Sequence, residues 1–134
     1  MTKISINPAG MCPPVGPYAH VVTAPPGGRL VYCAGAVALD ANGDVVGKGD
    51  IVAQTHQVME NLRLALSAAG ARFADVVKVT NYVTDAGQWP QVLPVRAQYL
   101  TEPFPASAFL EVSALMFPEL LIEIEAVAVV YDEA

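Results

Sequence analysis

Charge is the property that this sequence has least of. Only 15% of its 134 residues are charged, whereas 54% are apolar, and ordinary soluble domains are about 25% charged. Basic side chains are the scarcest, because seven Lys and Arg face 13 Asp and Glu, which gives a net charge of −6 and a pI near 4.6. Seven scattered cations form no stripe that could neutralise a phosphate backbone, so the sequence predicts no nucleic-acid partner.

Cysteine is also sparse. Cys12 and Cys33 are the only two, and they form neither a CxxC motif nor a zinc-ligand spacing, so the sequence predicts no metal site. Cys33 lies in the apolar stretch "RLVYCAG", where a small buried thiol is expected. Cys12 lies in a loop rich in proline, and the sequence does not decide whether it lies near a binding site. A disulfide between the two is the weaker alternative, and a reducing cytoplasm, which fits better, is the predicted location.

Long apolar runs are absent as well. No stretch of about 18 residues is free of charges and turn residues, so no transmembrane helix and no membrane partner are predicted. The N-terminal "MTKISINPAGMCPP" has no apolar core of signal-peptide length. The mean hydropathy is nevertheless +0.42, and a soluble chain this apolar is expected to bury part of its surface in an oligomer.

What the sequence does contain is a pattern of short strands with two helices, predicted to form one domain over residues 1–134. Alternating or β-branched runs predict strands in "KISI" (3–6), "YAHVVTA" (18–24), "RLVYCAGAVAL" (29–39), "FADVVKVTNYVTD" (73–85), "FPASAFLEV" (104–112) and "LLIEIEAVAVVY" (120–131). The second and third runs are separated by "PPGG" and are predicted to pair as a hairpin. On the fourth run, Val77, Val79, Asn81 and Val83 are predicted to share one face.

Apolar residues at helical spacing predict a helix over 51–69, with Asp50 as its N-cap and Gly70 at its C-terminal end. A second, weaker helix is predicted within 86–100, where Pro94 should kink it or shift its start. The order β, ββ, α, β, α, ββ predicts an α+β fold with both helices on one face of the sheet. Subunit association is then expected to cover the other face.

Two carboxylates stand on the last, most apolar strand. In "LLIEIEAVAVV" the period of two places Glu123 and Glu125 on one face. A solvated edge or a partner arginine on a neighbouring strand is the structural explanation, and a binding site is the functional one.

Several segments together resemble the YjgF/YER057c/RidA family of small proteins. They are "GPYAH" (16–20), "YCAGAVALDANGDVVG" (32–47), "AQTHQVMENLRLALSAAGARFADVVKVTNYVTD" (53–85) and "IEIEAVAV" (122–129). The resemblance implies a chorismate-mutase-like fold, a homotrimer with a central β-barrel and small-molecule sites in the clefts between subunits. It also implies hydrolysis of reactive enamines and imines, such as 2-aminoacrylate, without a metal or organic cofactor.

The resemblance assigns site residues one by one. Glu123 matches the glutamate that positions the attacking water, and Tyr18 matches the tyrosine of "GPY" in the site wall. Gly35 matches a glycine of the pocket strand, although Ala34 stands where the family has serine. Leu93 stands where some members have asparagine. Glu125 is expected to accept hydrogen bonds from a neighbouring subunit, and Glu111 could do the same.

One substitution departs from the family. The family's "FPAR" reads "FPAS" here, so Ser107 occupies the position of the arginine that holds a substrate carboxylate. An arginine pairs with a carboxylate through two parallel hydrogen bonds, and serine cannot. Phe109 on the same strand face should make the pocket more apolar. Activity on 2-aminoacrylate is therefore predicted to be weak or absent, and a substrate of altered specificity is expected.

The remaining ionisable residues are weaker candidates. None of the arginines at positions 29, 63, 72 and 96 lies on a strand that lines the expected cleft, so we expect none to replace the lost cation. Glu123 beside apolar walls should tend towards its neutral form and act as a better acid than base. His20 follows the tyrosine motif and could lie near the cleft, whereas His56 is expected at the surface or an interface.

Three functions remain open from the sequence. The first is a divergent deaminase-like hydrolase acting on an imine or enamine with Glu123 as acid or base. The second is a non-catalytic trimer that binds a small metabolite. The third is a ribonuclease or translation inhibitor, which the acidic charge disfavours.

Overall fold

The computed structural model describes residues 2–132 and has the predicted order of elements. The strands are β1 (Ile4–Ile6), β2 (Val21–Thr23), β3 (Arg29–Val37), β4 (Val76–Val83), β5 (Ala106–Glu111) and β6 (Ile122–Val130), and the helices are α1 (Ile51–Ala68) and α2 (Trp89–Arg96). Short 3-10 turns precede β4 (Phe73–Asp75) and α2 (Ala86–Gln88). The α+β class is therefore confirmed.

The main sheet has four strands in the order β3-β6-β4-β5. The β3–β6 and β6–β4 pairs are antiparallel, and β4 and β5 run parallel because α2 connects them as a crossover. The predicted hairpin between the second and third strands is wrong. β2 pairs with β1, with Ile4 opposite Thr23, whereas β3 pairs with β6.

The core lies between the sheet and the helices. Ile122, Ile124, Ala126 and Ala128 of β6 are buried on this side, and so are Val58, Met59, Leu62 and Leu66 of α1. On β4, Val79, Asn81 and Val83 share the buried face as predicted, but a register shift between Val76 and Lys78 buries Val76 in place of Val77. An extra residue in one strand reverses which side chains face the core.

The long helix begins and ends as predicted. Asp50 Oδ1 accepts hydrogen bonds of 3.1 Å from the amides of both Val52 and Ala53, and Gly70 adopts a φ of +73° just beyond the helix. This positive φ suits a glycine at the helix end. Pro94 lies inside α2 without ending it, and the predicted helix over 86–100 is shorter at both ends.

No helix of residues 2–132 packs against the opposite face of the sheet. Successive strands place Leu110, Tyr82, Glu123 and Val37 in one row across this face. Tyr32 is 73% exposed and Leu110 is 42% exposed. We call this helix-free side the outer face.

Candidate functional site

A cleft opens between helix α2, strand β5 and the loop before β2. Its volume is about 430 Å³, which lies within the range of small-molecule pockets. Its lining residues are Val15, Gly16, Pro17, Tyr18, Trp89, Leu93, Arg96, Ser107 and Phe109. Three of the residues predicted for the site, Tyr18, Ser107 and Phe109, therefore lie together.

Ser107 sits on the helix side of β5, opposite Val79 in the parallel register. The buried Asn81 side chain donates from Nδ2 to Ser107 Oγ at 3.0 Å and to the Ala108 carbonyl at 2.9 Å. Because Asn81 supplies the donor, the hydroxyl proton of Ser107 is free to donate to a ligand.

Two aromatic rings form the apolar wall of the cleft. The ring centroids of Trp89 on α2 and Phe109 on β5 are 4.2 Å apart and inclined at 44°. Rings this close bury a large apolar area against each other. The wall suits a ligand with a flat, unsaturated body, and it agrees with the expectation that Phe109 makes the pocket more apolar.

Arg96 is the cation of the cleft, and the expectation that no arginine reaches it is wrong. The last residue of α2 is only 2% exposed, and its guanidinium carbon lies 5.3 Å from the centroid of the Trp89 ring. Its Nε and Nη2 are buried without a hydrogen-bond partner among residues 2–132. Burial lowers the pKa of Arg96 to about 10, so the side chain remains charged at neutral pH.

The sequence held a signal for Arg96 that strand-based reasoning missed. Trp89, Leu93 and Arg96 are separated by four and three residues, the spacing that brings side chains to one face of a helix. The cleft is lined by that helix as well as by β5. An arginine on the same helical face as a tryptophan and a leucine was therefore a candidate for the pocket.

The loop that carries Tyr18 is fixed by its own contacts. The Tyr18 hydroxyl accepts a hydrogen bond from the Val15 amide at 3.3 Å. His20 packs edge-on against Tyr18, with ring centroids 5.6 Å apart, and its Nε2 lies 2.7 Å from the Cys12 carbonyl. A carbonyl oxygen only accepts, so Nε2 carries the proton. His20 and Cys12 thus hold the loop beside the cleft but do not line it.

Glu123 lies elsewhere in the chain, on the outer face. It stands opposite Val37 on β3 and Tyr82 on β4. A register shift in β3 between Cys33 and Ala36 spans Ala34 and Gly35, and it brings Gly35 against the Glu123 side chain. A Cβ on Gly35 would lie 3.0 Å from Glu123 Cγ and closer still to the carboxylate. Glycine at this position therefore leaves room for the carboxylate.

The electrostatic setting of Glu123 favours its protonated form more than free solution does. Burial raises the pKa of Glu123, and the nearby Glu125 carboxylate raises it further. None of the salt bridges and side-chain hydrogen bonds found in residues 2–132 includes Glu123. The pKa rise agrees with the predicted tendency of Glu123 towards the neutral form.

Glu125 has a partner within its own chain. The Tyr82 hydroxyl donates a short hydrogen bond to Glu125 Oε1, and this bond is the first cause of a raised pKa at Tyr82. Glu111 likewise accepts from the Ala86 amide at 2.9 Å. Each of these carboxylates can accept further hydrogen bonds, so their expected role as acceptors for a neighbouring subunit stays a prediction.

The predicted site residues thus fall into two groups on opposite faces of one sheet. Tyr18, Ser107 and Phe109 face the cleft beside α2, and Arg96 joins them. Glu123 and Gly35 face outwards with Tyr82. Within one chain the sheet separates the carboxylate from the cleft.

The described residues hold no cluster of three or more His, Cys, Asp or Glu side chains that could bind a metal. No helix among them is long and apolar enough to cross a membrane.

Comparison with known proteins identifies the family. The profile described as endoribonuclease L-PSP matches residues 10–130. This chain is a member of the YjgF/RidA family. The fold agrees, since a Rid family protein of Yersinia pestis, YyfB, superposes with a TM-score of 0.84 at 42% identity, over 96% of this chain and 98% of that one.

Two named relatives within the family are deaminases. The 3-aminoacrylate deaminase RutC of Acinetobacter baylyi is 39% identical over 96% of this chain and 98% of its own length. The human 2-iminobutanoate/2-iminopropanoate deaminase is 33% identical over 86% of this chain and 81% of its own length. Family membership and these relatives support a deaminase role.

Proposed function

We propose that this protein hydrolyses a small imine or enamine acid to the corresponding oxo acid and ammonia. The proposal rests on the setting of Glu123. Its carboxylate has no hydrogen-bond or salt-bridge partner in the described chain, its pKa is raised, and Gly35 leaves room for it. The names of the relatives from Acinetobacter baylyi and human support three- and four-carbon substrates.

In the proposed mechanism Glu123 acts on water. An imine is first protonated at nitrogen, or an enamine at carbon, to give the iminium ion. The Glu123 carboxylate holds a water molecule and takes a proton from it as the oxygen adds to the iminium carbon. Glu123 then returns this proton to the carbinolamine nitrogen, the carbon–nitrogen bond breaks, and ammonia leaves. The hydroxyl proton is lost to solvent as the water oxygen becomes the carbonyl oxygen of the product. A carboxylate with a raised pKa is a stronger base once ionised, which favours this proton transfer.

We further propose that the protein assembles as a homotrimer, with the site between subunits. The outer face supports this, because exposed Tyr32 and Leu110 share it with Glu123 and no helix of the described residues packs there. A face of this kind is normally buried by association. In the assembled protein, Glu123 of one subunit would face the cleft of the next.

Two other functions are less well supported. A non-catalytic binding protein would use the same cleft but would not need the room that Gly35 leaves for Glu123. A ribonuclease would need a basic groove, and the net charge of −6 opposes one.

The test is ammonia release from freshly generated 3-aminoacrylate, 2-aminoacrylate and 2-iminobutanoate. The wild type should release ammonia faster than the spontaneous reaction, and Glu123→Ala should lose most of that acceleration. Because Ser107 replaces the family arginine that holds the substrate carboxylate, the rate on 2-aminoacrylate should be low, and Ser107→Arg should raise it. Rates equal to the spontaneous ones for the wild type on all three substrates would refute the proposed function.

A further inference from the structure

We propose that Arg96 binds the carboxylate of a small, planar, unsaturated acid in the cleft between α2 and β5. The inference rests on the proposed function, since the cleft is the same. It assigns to Arg96 the carboxylate binding that the family arginine performs at the position of Ser107. It also assigns the ligand class, an acid with a flat hydrocarbon body.

The state of the Arg96 guanidinium carries the inference. A buried ion normally has a counter-ion or a complete set of hydrogen bonds, because its desolvation is costly. Arg96 is 2% exposed, and its Nε and Nη2 have no partner in residues 2–132. A planar fork of donors without acceptors matches the two oxygens of a carboxylate.

The charge and the shape of the rest of the cleft also suit a planar anion. Its lining residues, all within the described chain, include no acidic side chain, so no carboxylate of the same chain competes for Arg96. The hydroxyl of Ser107 accepts from Asn81 and that of Tyr18 accepts from Val15, so both protons can be donated to an anion. Trp89 and Phe109 supply the flat apolar wall.

A packing role for Arg96 is the alternative, and it predicts different behaviour. If the guanidinium serves only to stack on Trp89, its removal should destabilise the protein and should not alter the choice between acids and amides. If it serves a ligand, replacing this buried, unpaired charge with an apolar side chain of similar length should not lower stability. Many functional sites retain residues at a cost in stability.

The experiment uses Trp89, the only tryptophan of the chain, as a fluorescent reporter inside the cleft. Crotonate and crotonamide, which have the same planar body but differ in charge, are titrated at constant ionic strength. We expect saturable binding of crotonate and at least about tenfold weaker binding of crotonamide. Equal binding of the two probes by the wild type would overturn the inference.

Substitutions of Arg96 test whether this residue causes the preference for crotonate over crotonamide. Arg96→Met should weaken crotonate binding by about tenfold or more, leave crotonamide binding within about twofold, and unfold at the same or a higher temperature. Arg96→Lys keeps the positive charge but lacks the planar pair of N–H donors, so it should bind crotonate with intermediate affinity. Arg63→Met is the control, since Arg63 is exposed and pairs with Glu60. Wild-type crotonate affinity in Arg96→Met would contradict the inference.

The result is separable from the proposed function. Selective binding of crotonate by a protein that releases no ammonia would support the role of Arg96 and refute the hydrolysis. Ammonia release with an unchanged KM in Arg96→Met would support the hydrolysis and refute the role of Arg96.

Discussion

At the scale of single residues, the close approach of Gly35 to Glu123 predicts that a side chain at position 35 impairs the reaction. Gly35→Ala should lower kcat/KM for deamination by about tenfold or more, because the new methyl group displaces the carboxylate. Its melting temperature should change by only about 2 °C, since the side chain of Glu123 is free to move away. Enzyme kinetics and thermal unfolding measure the two effects.

Gly10→Ala is the matched control, because a Cβ on Gly10 meets no atom within 4 Å. Full activity in Gly35→Ala would show that the position of Glu123 is not critical for the reaction.

The pH profile reports on Glu123 and its neighbour. In the proposed mechanism the ionised form acts, so activity should rise with pH through the raised pKa of Glu123. Glu125→Gln removes the charge that contributes to this rise but keeps an oxygen that can accept from Tyr82. The acidic limb of kcat/KM should therefore move to lower pH, and a limb that does not move would exclude the proposed coupling.

At this scale, the sequence predicts features that depend only on neighbouring residues, such as helix caps. The residue types and positions of Asp50 and Gly70 alone predict a helix cap and a helix end. The burial of Arg96 could not be deduced from strands, because it depends on how α2 packs over β5.

At the scale of elements, the order along the chain was predictable but the pairing was not. Hydrophobic periodicity is a local signal, so all six strands and both helices were found. Pairing is decided by long-range contacts, and "PPGG" therefore suggested a hairpin that the chain does not form. The register shifts in β3 and β4 are equally invisible in the sequence, and the former brings Gly35 against Glu123.

Gln54 makes a testable link between α1 and the start of β6. Its buried side chain donates to the carbonyls of Gly47 and Glu119 and accepts from the Leu121 amide, at 2.8–3.1 Å. Gln54→Leu should lower the free energy of unfolding by roughly 2–4 kcal/mol, because backbone groups lose their partners without gaining water. Denaturant titration measures the change.

Gln91→Leu provides the comparison, because Gln91 is exposed on α2. It should change stability by less than about 0.5 kcal/mol. A loss in Gln54→Leu no larger than in Gln91→Leu would show that the three hydrogen bonds contribute nothing.

At the scale of the whole molecule, the outer face should hold the trimer together. Tyr32→Asp and Leu110→Asp each place a charge on that face and should shift the mass measured by analytical ultracentrifugation from trimer to monomer. Deaminase activity should fall with the trimer. Leu64→Asp is the control, since Leu64 is 58% exposed on α1, and it should leave the trimer intact.

Low charge and high apolar content predict an oligomer, and this stays a prediction. They could not predict that the expected site residues lie on opposite faces of the sheet, because that follows from the parallel pairing of β4 with β5 and from the position of α2.

Subunit mixing tests whether one site takes Arg96 from one subunit and Glu123 from another. Glu123→Ala and Arg96→Met, each impaired alone, are unfolded together in equal amounts and refolded as mixed trimers. Random assembly pairs an intact Arg96 with an intact Glu123 at about a quarter of the sites, so we predict recovery of about a quarter of wild-type ammonia release. Mixed trimers no more active than the two separate variants would contradict a site shared between subunits.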